Sequence, residues 1–182
     1  ETSKNAENFI ALLNFLANEQ LTRADCVIAL GGGVVGDLAG FAASAYMRGI
    51  GFIQIPTTLL AAVDSSVGGK TAIDLSAGKN LAGTFYQPDL VLCDHDLLET
   101  LSMDVFRDGV AEVIKYGVIA DEVLFEMLKA PIQPQLEEII ARCVTIKRDI
   151  VSIDETERGP RKLLNFGHTV AHAVEKSSNY AI

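Results

Sequence analysis

The sequence predicts an α/β domain of the nucleotide-binding type followed by a mainly helical domain. Three observations carry this. A strand, glycine turn, helix, strand order occupies residues 26–55, the signature of a parallel βαβ unit. After about Ser102 the short apolar runs give way to long segments with helical spacing. The 182 residues are 49% hydrophobic and 21% charged with 15 glycines and 5 prolines, enough apolar material for a real core and unlike a disordered or collagen-like chain.

The elements follow in order. Phe9, Leu12, Leu13 and Leu16 repeat at helical spacing within a helix over Asn5–Asn18. Cys26–Leu30 is a short buried-strand run that Gly31-Gly32-Gly33 ends, and Asp37–Met47, rich in alanine, predicts a helix. Phe52–Ile55 is the next strand, stopped by Pro56, and Leu90–Cys93 is a third. Val105–Ile119, Val123–Leu128, Leu136–Ile150 and Leu163–Lys176 predict helices, with Pro131 and Pro134 separating two of them. The division expected is residues 1–103 and 104–182, without internal repeats.

Lys+Arg 15 against Asp+Glu 24 gives a net charge of −9, which argues against nucleic acid or an anionic membrane as the main partner. No apolar run reaches the ~18 residues of a membrane span. Three scattered cysteines, Cys26, Cys93 and Cys143, fit a reducing cytoplasm better than a disulfide framework or zinc ribbon. A chain that opens on Glu1 without an initiator Met and stops at Tyr180-Ala181-Ile182 without a helix cap is expected to be a piece of a longer protein.

Gly31-Gly32-Gly33-Val34-Val35-Gly36-Asp37 satisfies G-x-G-x-x-G between a strand and a helix. There glycines permit close backbone approach, and a helix N-terminus offers N–H groups to a pyrophosphate. The acid that a standard dinucleotide fold places about 20 residues on is missing, since no Asp or Glu lies between Asp37 and Asp64. A tight turn needing glycine for geometry alone is the alternative. Asp64–Thr71 ends like a Walker A loop, but Asp64 stands where its first glycine must be. Thr57, Thr58, Asp64, Lys70, Lys79 and Asn80 populate a glycine-rich segment, either a solvated loop or a setting in which lysines reach small anions.

Further on, Arg161, Asn165, His168 and His172, spaced by 4, 3 and 4, form one stripe on a helix. An i, i+4 histidine pair suits a divalent ion, although a polar stripe also serves as a solvated face. Glu112 with Lys115 one turn on lies in an apolar neighbourhood, and as a chance pair it would be exposed and worth little. His95, between Asp94 and Asp96, fits a surface turn.

The blocks ALGGGVVGDLAGF, YMRG, QIPTTLLAAVDSSVGGKTAID, GKNLAGTFYQP, LLETL, GVAEVIKYG and LLNFGHTVAHAVE together resemble the 3-dehydroquinate synthase family over essentially the whole chain. The resemblance implies a Rossmann-like NAD-binding α/β domain and a mainly α-helical metal- and substrate-binding domain, both incomplete. It implies conversion of 3-deoxy-D-arabino-heptulosonate 7-phosphate to 3-dehydroquinate and phosphate, in the shikimate route, through transient NAD-dependent oxidation, elimination, re-reduction and aldol closure. By the same resemblance Gly33, Val34, Val35, Gly36 and Asp37 meet NAD, with Thr57, Thr58, Lys70, Lys79 and Leu97, Leu98, Glu99 and Thr100 around it and Glu1 and Lys4 at its adenosine end.

Zn2+, or Co2+, is implied at Glu112 and His168, with a third ligand beyond Ile182, which makes His172 a polar neighbour and not a ligand. Asp64, Lys115, Lys147, Asn80, Arg161 and Asn165 form the implied substrate group; Lys147 and Arg161 suit its carboxylate, and Lys70, Asn80 and Asn165 its phosphate. Arg48 resembles an arginine that enters from a partner subunit, which implies a homodimer. The alternatives are another sugar phosphate cyclase, a metal-dependent polyol dehydrogenase and a non-catalytic NAD-binding remnant.

Overall fold

The computed structural model describes residues 1–178, without the side chains of His172, Glu175 and Lys176. The chain forms two units, Glu1–Val110 and Ala111–Ile182.

In the first unit, α1 (Ala6–Asn18) starts where the Asn5 side chain accepts the Asn8 N–H at 2.9 Å, an ordinary N-cap. Its Phe9 stacks on Phe41 of α2 (Gly33–Ala45) with ring centroids 4.4 Å apart. Strands β1 (Cys26–Gly31) and β2 (Gly51–Pro56) pair in parallel, Cys26 opposite Gly51 through Gly31 opposite Pro56, with α2 as their crossover. A Cβ on Gly40 would lie 2.5 Å from Thr71 Cγ2 and 2.8 Å from the Phe52 ring, so glycine sets how closely α2 lies on its neighbours. Ala29, Ala39, Ala43, Ile50 and Phe52 form the core there, flanked by Leu21, Val27, Tyr46 and Tyr86.

The expected α/β order is present, with instructive departures. Helix α2 begins inside the glycine turn, at Gly33 rather than at Asp37, and ends at Ala45 rather than Met47. The run Cys26–Leu30 is apolar on both faces, as parallel strands are, yet Ile28 and Leu30 are exposed; α2 packs on the opposite face, against Ala29. The third strand, β3 (Lys70–Leu75), is not the one read at Leu90, because the polar segment is not a loop. It contains a π-helical turn at Ala61–Ser65 and an antiparallel hairpin of β3 and β4 (Gly78–Phe85). Gly68 and Gly69, at φ 96° and 69°, turn the chain into it, and Lys70 opens a strand and not the helix that a Walker loop requires. β5 (Leu90–Val91) adds to β2 over two residues, shorter than Leu90–Cys93.

Helix α3 (Met103–Ala120) leads into the second unit, followed by α4 (Glu122–Met127), α5 (Leu136–Ile153) and α6 (His168–Ser177). Asp121 caps α4 by accepting the Leu124 N–H at 3.0 Å and takes Arg142 Nη1 of α5 at 2.9 Å. The buried stripe of α5 is Leu136, Ile139, Ile140, Cys143, Lys147 and Val151, which puts a lysine on an apolar face. The helix expected over Leu163–Lys176 is broken in two. A 3-10 turn covers Pro160–Asn165, Phe166 is extended, Gly167 takes φ 83°, and α6 restarts at His168. Glycine tolerates the left-handed turn that an unbroken helix would not contain. Arg161, Asn165, His168 and His172 therefore do not share one helix.

Candidate functional site

The first unit gathers charged residues around one ammonium. Lys4, 4% exposed, donates to Asp37 Oδ2 at 3.0 Å and to Asn80 Oδ1 at 2.7 Å, and lies 3.4 Å from Glu1 and 3.9 Å from Asp74 Oδ1. Burial lowers the affinity of Lys4 for its proton, but Asp37, Glu1 and Asp74 together outweigh it and hold the ammonium above its ordinary value. Burial also pushes the Asp37 carboxyl up, against the pull of Lys4. Four of the residues singled out from sequence, Glu1, Lys4, Asp37 and Asn80, thus meet in one cluster.

Beside it the glycine turn passes from β1 into α2. Gly32 caps α2 without a side chain, so no side-chain oxygen of its own covers the first-turn N–H groups. Cβ atoms on Gly32 and Gly33 would come within 3.0 Å of Thr58 Cγ2 and Ser65 Oγ, which explains the glycines as close packing against the π-turn. Thr57 N–H donates to Gly31 O at 2.9 Å, and Thr58 Oγ1 accepts from Ala61 N–H at 3.2 Å. Gly36 is buried, Val34 half-buried and Val35 exposed. Asp64 lies within the π-turn, Lys70 and Lys79 are exposed on the hairpin, and Leu97 and the buried Leu98 end a 3-10 turn (His95–Leu98) that Glu99 and Thr100 follow. Arg48 stands exposed at φ 69° between Met47 at 49° and Gly49 at 118°, and makes no hydrogen bond or ion pair among the described residues.

The second unit carries the other cluster. Glu112 and Lys115 form an ion pair between Oε2 and Nζ, and at 16% and 6% exposure they are not the surface pair that chance would give. Glu112 Oε1 lies 3.3 Å from His168 Nε2, and His168 Nδ1 lies 3.3 Å from Asn165 Oδ1. The Asn165 amide oxygen and the Glu112 carboxylate are both acceptors, so either ring nitrogen can donate; the tautomer with its proton on Nδ1, toward Asn165, would present the Nε2 lone pair beside Glu112 for a shared ion. Two donors bound at 2.0–2.1 Å to one tetrahedral ion stand about 3.3–3.4 Å apart. The pair therefore fits half of a zinc or cobalt site, with one carboxylate and one imidazole. Among the described residues no group of three or more His, Cys, Asp or Glu that could hold a metal is formed.

Asn165 Nδ2 donates in turn to Glu157, Arg161 Nη1 donates to the Glu155 carbonyl, and Arg161 and Lys147 are buried at 1% and 6% exposure. The side chain of His172 lies outside the described residues.

Three residues that the sequence reading passed over act on these. Asp154 accepts the N–H groups of Arg158, Gly159 and Arg161 at 2.9, 2.7 and 3.1 Å, which folds the turn carrying Arg161. Burial works against that carboxylate, but the three N–H donors hold it below its usual range. Glu157 orients Asn165. Asp74 accepts the Asn80 N–H at 2.8 Å. An Asp followed within five residues by Gly-Pro signals the first turn; nothing local signals the other two.

The family model for the 3-dehydroquinate synthase N-terminal region matches residues 1–108, and that for the C-terminal region matches residues 109–182. A 3-dehydroquinate synthase of Clostridium perfringens strain 13 is 54% identical over all of this chain and 53% of its own length. One of Enterococcus faecalis OG1RF is also 54% identical, over all of this chain and 52% of its own. Among solved structures, ValA, a 2-epi-5-epi-valiolone synthase from Streptomyces hygroscopicus with NAD+ and Zn2+ bound, aligns at TM-score 0.91 and 29% identity over all of this chain and 53% of its own. A 2-deoxy-scyllo-inosose synthase complexed with carbaglucose-6-phosphate, NAD+ and Co2+ aligns at 0.87 and 31% over 97% of this chain and 50% of its own. The chain spans about half the length of these relatives. It belongs to the 3-dehydroquinate synthase family.

Proposed function

We propose that this member of the family is part of an enzyme, a phosphorus–oxygen lyase, that converts 3-deoxy-D-arabino-heptulosonate 7-phosphate to 3-dehydroquinate and phosphate with NAD and a divalent metal, zinc or cobalt. The observation that carries the reading is the Glu112–His168 pair at 3.3 Å with the imidazole oriented by Asn165, together with the 54% identity to curated synthases over the full chain.

In this reading residues 1–103 hold the cofactor and residues 104–182 the metal and substrate. Gly33–Asp37, Thr57, Thr58, Lys70, Lys79 and Leu97–Thr100 surround NAD, with Glu1 and Lys4 at its adenosine end. The α2 N-terminus supplies N–H groups suited to a pyrophosphate. NAD bound there would supply a reversible hydride acceptor for the carbon bearing a substrate hydroxyl, and a metal held by Glu112 and His168 would ease loss of the proton from that hydroxyl.

The remaining roles fall to side chains. Lys147 and Arg161, both buried, bind the substrate carboxylate. Lys70, Asn80 and Asn165 bind the phosphate, Asp64 and Lys115 belong to the same substrate-binding group, and His172 is a polar neighbour of the site. The substrate phosphate itself can serve as base in its own elimination, so the protein's task is chiefly positioning. Arg48, strained and exposed, completes the site of a second copy in a cytoplasmic homodimer. No helix among the described residues is long and apolar enough to cross a membrane.

The test is stoichiometric. The complete protein with NAD+ and Zn2+ should release one phosphate per heptulosonate phosphate with no net NADH. Net accumulation of NADH, or phosphate release only from a sugar phosphate lacking the carboxylate, overturns the reading.

A further inference from the structure

Asn80 is held from two sides by residues of the hairpin and the N-terminal turn. It sits at φ 56°, in the left-handed region, which asparagine tolerates better than other non-glycine residues but which still costs free energy. Asp74, at the irregular step of β3 against β4, accepts the Asn80 backbone N–H on Oδ1 at 2.8 Å. That closes a turn around the five residues Leu75–Lys79. The Asp74 backbone is itself anchored, since its N–H donates to the Lys4 carbonyl at 2.8 Å.

The Lys4 ammonium then fixes the Asn80 side chain. An ammonium only donates, so the Asn80 atom 2.7 Å from it is the oxygen, and the amide orientation is determined chemically. With Oδ1 engaged, the exposed carboxamide has only its two Nδ2–H donors left to offer, and these make no hydrogen bond among the described residues. A carboxamide clamped this way is an anion donor and not an acceptor. Freed to flip, it would present its oxygen to an anion half of the time and lose the contact.

We propose that Asp74 is a positioning residue for anion recognition: by pinning the Asn80 backbone in the left-handed conformation, it keeps the carboxamide within reach of Lys4 and its N–H donors turned toward the substrate's phosphate. The inference rests on the assignment of Asn80 to that phosphate. The part that matters is the Oδ1 acceptor and not the charge, because the partner is a neutral N–H and Lys4 is 3.9 Å away with closer oxygens on Asp37 and Asn80.

The experiment uses the complete protein with three sequences, wild type, Asp74→Asn and Asp74→Ala. The first readout is the side-chain amide NMR signal of Asn80, identified by its loss in Asn80→Asp, titrated with inorganic phosphate. It should shift on phosphate addition in wild type and Asp74→Asn, and stay unmoved in Asp74→Ala. The second is steady-state turnover of the heptulosonate phosphate. Asp74→Ala should raise KM about 10-fold with kcat within about 2-fold, the loss of roughly one charge-assisted contact, and Asp74→Asn should restore KM to within about 3-fold.

A normal phosphate shift and KM in Asp74→Ala overturn the proposal, and so does an Asp74→Asn variant as impaired as Asp74→Ala. If wild type shows the phosphate shift but no turnover, the functional reading fails while the role of Asp74 stands on the first readout. If wild type turns over substrate and its Asn80 signal ignores phosphate, the role of Asp74 fails alone.

Discussion

The two polar clusters are built in opposite ways. Around Lys4 the chain collects carboxylates at residues 1, 37 and 74 and an amide at 80, so a single buried cation is surrounded by more acceptors than it needs. Around Glu112 it places one carboxylate between a lysine and an imidazole, with the imidazole's far nitrogen tied to Asn165. The first arrangement is self-satisfied and ties segments of the unit together. The second brings a carboxylate oxygen and a ring nitrogen from distant segments to 3.3 Å of each other. The contrast teaches two ways to use buried charge: one cation that fixes several distant segments, and a carboxylate and an imidazole brought to the spacing that two ligands of one ion would have.

The sharpest way to break that contrast is Glu112→Gln in the complete protein. An amide is a poor zinc ligand, so bound metal should fall by more than the roughly 10–100-fold that even outer partners of a metal site cost, with the fold retained. Metal analysis after dialysis beside circular dichroism checks this; wild-type metal content would make Glu112 merely the partner of Lys115.

The Lys4 cluster should respond in stability instead. Lys4→Met strands carboxylates beside an apolar side chain and should cost about 2–3 kcal/mol, below the usual loss for a fully buried pair because Asp37 and Glu1 keep access to water. Because the Lys4 proton is bound more tightly in the folded chain, its contribution is complete below the ordinary lysine pKa and disappears as pH rises through the raised value. Urea midpoints of wild type and variant should therefore converge only above about pH 10.5.

Packing next to that cluster is tested by Gly40→Ala, whose methyl would collide with Thr71 and Phe52 and should cost about 1–3 kcal/mol. In the second unit Asp121→Ala should cost about 1 kcal/mol at neutral pH through the lost α4 cap. The Leu124 N–H is the leading cause that holds the Asp121 carboxyl below its usual value, and Arg142 adds to it. That contribution is present above the ordinary carboxylate pKa and fades as pH falls through the lowered one. The difference between wild type and variant should shrink in urea titrations below about pH 4.

Much of this was legible in the amino-acid order. Helix α1, strands β1 and β2 and the long helices α3 and α5 follow from apolar spacing, because each buries a regular face and the period of that face is written locally. The hairpin was hidden, since Ser76, Gly78, Lys79 and Asn80 interrupt the apolar residues of Lys70–Phe85, which reads as a loop until its two halves pair. Leu163–Lys176 has helical spacing throughout, and only the left-handed Gly167 reveals that Asn165 and His168 belong to different elements.

The sequence by itself determined the class of fold, the family and the identity of Glu112 and His168 as candidates, because motifs and periodicity are properties of order along the chain. Tertiary structure alone decided that Glu112 and Lys115 are a buried pair and that residue 112 reaches residue 168. It alone also decided that Lys4 meets Asp37, Asp74 and Asn80. Such meetings depend on how distant segments fold back on each other, and no local pattern encodes the distance between two side chains separated by 56 positions.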